Sequence, residues 1–105
     1  GSESAVRSGP MRKAAIIIKD PQQQYEGLRT CVGLLLEGIP VQMFVLHSEI
    51  EVMDEAYRDN MAFLDEMGGE RYSNNSANAE KYGFAYVTMA QAAEKIQQAD
   101  IVIPL

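Results

Sequence analysis

Residues 12–46, RKAAIIIKDPQQQYEGLRTCVGLLLEGIPVQMFVL, decide the fold. Ile16, Ile17 and Ile18 follow Ala14 and Ala15 and sit between Lys13 and Lys19. A short β-branched run without polar alternation marks a strand buried on both faces, as in parallel sheets. Asp20-Pro21-Gln22-Gln23 then reads as a helix start. Asp20 is placed to accept the Gln23 amide, Pro21 suits the first helical position, and Gln23 can reach back. Tyr25, Leu28, Val32, Leu35 and Leu36 recur at helical spacing, and Gly38 and Pro40 stop the helix near Glu37. Residues 41–46 form a second buried run. Strand, helix and strand within about 35 residues make a βαβ unit with a right-handed crossover.

The pattern repeats further along. Residues 52–67 read as a helix with Met53, Tyr57, Met61 and Leu64 inward and Asp54, Glu55, Arg58, Asp65 and Glu66 outward. Gly68-Gly69 ends it. Residues 70–73 are a short strand, and 73–83, SNNSANAEKYG, are a loop with room for one helical turn. Residues 84–87 are a fourth short strand or an extended connection. Thr88 and Gln91 form a capping box for a last helix with Met89, Ala92, Ala93 and Ile96 inward. Residues 101–105 close the sheet. The expected fold is a three-layer α/β/α domain over residues 11–105, with a mainly parallel sheet of about five strands. Residues 1–10, GSESAVRSGP, lack periodicity and read as a tag or disordered leader before Met11.

Composition narrows the partners. Fifteen acidic against nine basic residues give a formal charge of −6, which repels phosphate backbones, and no Lys/Arg cluster offsets it. Nucleic acid is excluded on that ground. No apolar run approaches the ~18 residues of a membrane span, so no membrane partner is expected, and a cytoplasmic location fits. Cys31 is the only cysteine, which rules out an intrachain disulfide and a C-x-x-C redox site. One His and one Cys leave little material for a transition-metal site, and the methionines are spaced as core filling. No metal or cofactor is expected. Asn74-Asn75-Ser76 matches a glycosylation sequon but lacks a secretory signal.

Open parallel sheets bind ligands at the carboxyl ends of their strands. Lys19 and Asp20 follow the first strand, His47 and Ser48 the second, and the polar loop with Asn75 and Asn78 the third. His47, the only histidine, is a weak candidate for a general base or a ligand-loop donor; it reads more readily as a strand-end residue satisfied by a carbonyl. Cys31 falls mid-helix among leucines, where nothing lowers a thiol pKa, and reads as a buried structural cysteine. KDPQQQY after the first strand has no glycine and is no phosphate loop. A phospho-receiver would need more acidic residues around Asp20 and a Lys after the last strand.

The order of elements, with AIIIKDP, LLLEGIPV, VQMFVLHSEI and the closing AEKIQQADIVIPL, resembles the DsrE/DsrF/TusD-like sulfur-relay family over about residues 11–105. The resemblance implies a five-stranded sheet and assembly into trimers or hexamers, with itself or with related subunits. It also implies a persulfide-accepting cysteine in the loop after the third strand, in a pattern like C-x-x-C-x-x-x-x-G. With the glycine at Gly83, the two cysteines fall on Asn75 and Asn78, and an amide can neither attack nor carry sulfur. The expected role is therefore a non-catalytic or small-ligand-binding subunit of a sulfur-relay-type oligomer, and Phe63, off the main stripe of the second helix, is a candidate contact. Two alternatives stand beside it: a small-molecule binder or enzyme with a pocket around Asp20 and His47, and a persulfide carrier through Cys31.

Overall fold

Alternate residues of the first strand, β1 (Ala14–Ile18), enter two different cores. Ala14, Ile16 and Ile18 join one apolar cluster, and Ala15 and Ile17 join another on the opposite face. The second strand, β2 (Val41–Val45), divides likewise: Val41, Met43 and Val45 go one way and Phe44 the other. Both strands therefore need a cover on each side. Burying an Ile, Val, Met or Phe side chain contributes roughly 1.5–3 kcal/mol, which helices on both faces secure.

The computed structural model describes residues 12–105; the tag or leader expected at 1–10, and Met11, lie outside the described residues. The remaining elements are α1 (Gln24–Leu36), preceded by a 3₁₀ turn at Pro21–Gln23, α2 (Glu55–Glu66), β3 (Glu70–Ser73), α3 (Ser76–Tyr82), β4 (Ala85–Tyr86), α4 (Met89–Gln97) and β5 (Ile101–Pro104). The sheet has five strands in the order β4-β3-β2-β1-β5, and every adjacent pair is parallel. The first three crossovers step in one direction along the sheet, and the fourth returns past three strands to the far side of β1. Right-handedness then puts α1, α2 and α3 on one face and α4 on the other. The packing agrees: Leu28, Cys31, Leu35, Tyr57, Leu64 and Tyr82 share one cluster, and Ala92 and Ile96 the other. The result is the three-layer α/β/α fold expected from the pattern.

Several local readings are corrected. Asp20 caps the 3₁₀ turn, accepting from the Gln22 amide at 2.9 Å rather than from Gln23. The buried face of α1 is Gln24, Gly27, Leu28, Cys31 and Leu35, while Tyr25 and Leu36 are 37% and 64% exposed. Gly27 explains the phase: a methyl group there would penetrate the buried Ile18 side chain, so the absent side chain lets α1 settle onto β1. In α4, Ala92 is buried and Ile96 half-buried, but Met89 and Ala93 face outward. Residues 76–82 form a two-turn helix, not a loop. Asn75 caps it through a bond from the Asn78 amide at 3.1 Å, and Gly83 closes it in the left-handed conformation.

Gly27→Ala is expected to lower stability by about 1 kcal/mol, because overpacking costs ~1–3 kcal/mol against a helix-propensity gain of ~1. Gly33→Ala, which meets nothing within 4 Å, is expected to gain about that propensity. Urea unfolding of the two variants checks the opposite signs.

Candidate functional site

Because β1, β2 and β3 are neighbours, the segments leaving their carboxyl ends lie along one edge of the sheet. The strand-order reversal, by contrast, falls between β1 and β5. There the Leu105 amide donates to the Ile17 carbonyl at 2.7 Å and its carbonyl accepts from Lys19 at 3.2 Å. Backbone pairing between these two strands thus continues as far as Lys19 and Leu105.

The chain leaves β2 through residues 46–54, and the peptide groups of that loop are held by amide side chains. Asn78, fully buried, accepts from the Ile50 amide at 2.9 Å and donates to the Ser48 carbonyl at 3.0 Å and Ser73 Oγ at 3.1 Å. Gln24, buried in the first turn of α1, donates to the Glu49 carbonyl at 3.0 Å and to Ser48 Oγ at 3.4 Å, and accepts from the Glu51 amide at 3.0 Å. An exposed Lys81–Glu49 ion pair at 2.9 Å lies outside them. His47 precedes these contacts with φ +73°, the left-handed region that a residue with a Cβ enters at a cost. Its amide donates to Asn74 Oδ1 at 2.8 Å, and Asn74 Nδ2 stands 3.5 Å from His47 Nδ1.

Of the residues singled out from the sequence, His47, Ser48 and Asn78 thus meet around the β2 exit, and Asn75 joins them through its cap on Asn78. Asp20 is exposed at the tip of β1, and its only side-chain bond among the described residues is the local one to Gln22. Gln24, Ser73 and Asn74 escaped sequence reasoning. Their one signal is an amide or hydroxyl beside a strand end, a common feature of turns.

No thiol, hydroxyl or carboxylate lies in hydrogen-bond contact with the His47 ring among the described residues. Cys31 is fully buried, and burial pushes its thiol up to about 12, with a backbone hydrogen bond opposing. Burial likewise raises the Tyr57 phenol, and its hydroxyl has no hydrogen-bond partner among the described residues. No group of three or more His, Cys, Asp and Glu side chains is placed to hold a metal among those residues. No helix among them is long and apolar enough to cross a membrane.

A cleft of about 460 Å³ opens next to the amide-held loop, between the first turns of α1 and α2. Its walls include Gln24, Tyr25, Glu51, Val52, Asp54 and Tyr57, and none of Asp20, His47, Ser48, Asn75 or Asn78 lines it. No family model, curated protein or solved structure matches this chain.

Asn78→Ala is expected to cost about 2–4 kcal/mol, because three buried partners lose their bonds together. His47→Gly is expected to gain about 0.5–1 kcal/mol by releasing the left-handed backbone. Denaturant midpoints of the two variants check both signs.

Proposed function

We propose that this chain is a DsrE-like subunit that does not carry sulfur itself and works through contacts with other subunits, as a homo-oligomer or with related chains. The observation that carries this reading is the state of the loop after β3. Where the family pattern calls for cysteines, Asn75 caps a helix and Asn78 is buried with its amide fully bonded. Neither position offers a free nucleophile, and Asn78 holds the loop that follows His47. Apolar side chains at the two sheet edges, Val102 at 46% and Tyr86 at 55% exposed, support a contact role. A cytoplasmic setting fits a lone reduced thiol.

Persulfide carriage through Cys31 is the weaker alternative, since a sealed thiol is neither accessible nor ionised at neutral pH. A pocket around Asp20 and His47 is favoured by one observation, the left-handed His47 backbone, because such conformations cluster at ligand-handling sites. Its test is a thermal-shift screen of the parent and His47→Ala against sulfur compounds, nucleotides and small acids. A ligand that raises the parent's Tm and not the variant's supports it.

Intact mass after native incubation with a persulfide donor is expected to show no added sulfur. Addition that Cys31→Ser abolishes would overturn the non-carrier reading. Light scattering on the eluting protein is expected to give a mass of three or more chains, and a monomer at high concentration would remove the subunit role.

A further inference from the structure

We propose that the cleft between the first turns of α1 and α2 binds a small organic cation, an ammonium group carried on an aryl or short alkyl body. The volume, about 460 Å³, lies in the range of small-molecule sites. Its apolar surface comes from the Tyr25 ring, the largely exposed Val52 side chain, Ala56 and Tyr57. Tyr25 and Val52 are large apolar groups left open on a chain that buries most of its others.

Charge selects the class of ligand. The lining carries two carboxylates, Glu51 and Asp54, and no Lys, Arg or His. Two helix starts border the cleft, and each contributes only about +0.5 of a charge. Each start is also partly capped by a carboxylate of its own: Asp54 Oδ1 accepts from the Tyr57 amide at 2.9 Å, and Asp20 Oδ1 from the Gln22 amide at 2.9 Å. Glu26 and Glu55 stand in the first turns of the same helices. The sum is negative, so an anion is repelled where an isolated helix start would attract it. Asp54 Oδ2 and the Glu51 carboxylate make no hydrogen bond or ion pair among the described residues, which leaves both for a ligand ammonium. Tyr25 already attracts a cation: the exposed Arg29 guanidinium lies over its ring, 5.8 Å from the centroid.

The amide-held loop makes the site rigid. Gln24 fixes the backbone of Glu51, and the cap bond to Tyr57 fixes the Asp54 carboxylate, so one charge and the root of the other are placed before a ligand arrives.

The test is an amide-resolved NMR titration of the full chain with phenethylammonium, 2-phenylethanol and phenylacetate, which share a ring and differ in charge. Phenethylammonium is expected to give saturable shifts confined to residues 22–25 and 51–57, 2-phenylethanol a Kd about tenfold weaker, and phenylacetate no binding. Glu51→Gln with Asp54→Asn, which keeps a capping side chain, is expected to weaken phenethylammonium about tenfold with the remaining spectrum unchanged. Arg29→Met is expected to tighten it by removing the competing cation from Tyr25. The proposal is overturned if phenylacetate binds as well as phenethylammonium, if no saturation occurs by about 10 mM, or if the shifts scatter over the acidic surface. The cleft is separate from Cys31 and from the loop after β3, so these outcomes leave the sulfur-relay reading untouched.

Discussion

Two buried amide side chains hold the segment on which every functional feature of this domain stands. A chain leaving a buried strand carries peptide groups that have lost their sheet partners, and each one left unpaired costs about 1–3 kcal/mol. Gln24 and Asn78 approach the loop after β2 from two helices and satisfy the Ser48, Glu49, Ile50 and Glu51 peptide groups. A primary amide suits this task because it donates and accepts at once without charge. A carboxylate could only accept, and would have to be buried as an ion.

The same pair of amides links the fold to its surface chemistry. On one side of the loop, Asn78 is buried and bonds the Ser48 carbonyl, the Ile50 amide and Ser73 Oγ. On the other, Gln24 sets one wall of a cleft lined by Glu51 and Asp54. The only thiol lies beneath α1 among apolar side chains, where burial suppresses ionisation. The thiol thus lies away from the strand tips, where amide, hydroxyl and imidazole side chains gather instead.

The buried runs at 14–18 and 41–45 were legible because strands covered on both faces must be continuously apolar, and few other structures tolerate that. The capping box at Thr88 and Gln91 was legible for a similar reason: it is closed by residues three apart. The face of α1 was legible in part: Leu28, Val32 and Leu35 pack inward, but Tyr25 and Leu36 do not, since the phase depends on Gly27, a residue that contributes by lacking a side chain against Ile18. Helix α3 was missed because SANAEKY has no apolar stripe; its core contacts are Asn78 and Tyr82, one of them polar. Among the site residues, His47 and Ser48 were found from their place after a strand. Gln24 was passed over as one of three consecutive glutamines, and Glu51 and Asp54 as ordinary surface charge.

Local sequence alone determined the alternation of strands and helices, the parallel sheet and the absence of paired thiols, because periodicity, caps and composition act over a few residues. Tertiary structure decided that β5 returns beside β1, that Leu105 extends its pairing to Lys19, and that two amides some fifty residues apart converge on one loop. Those outcomes rest on contacts between distant segments, whose energies depend on mutual position and leave no local pattern along the chain.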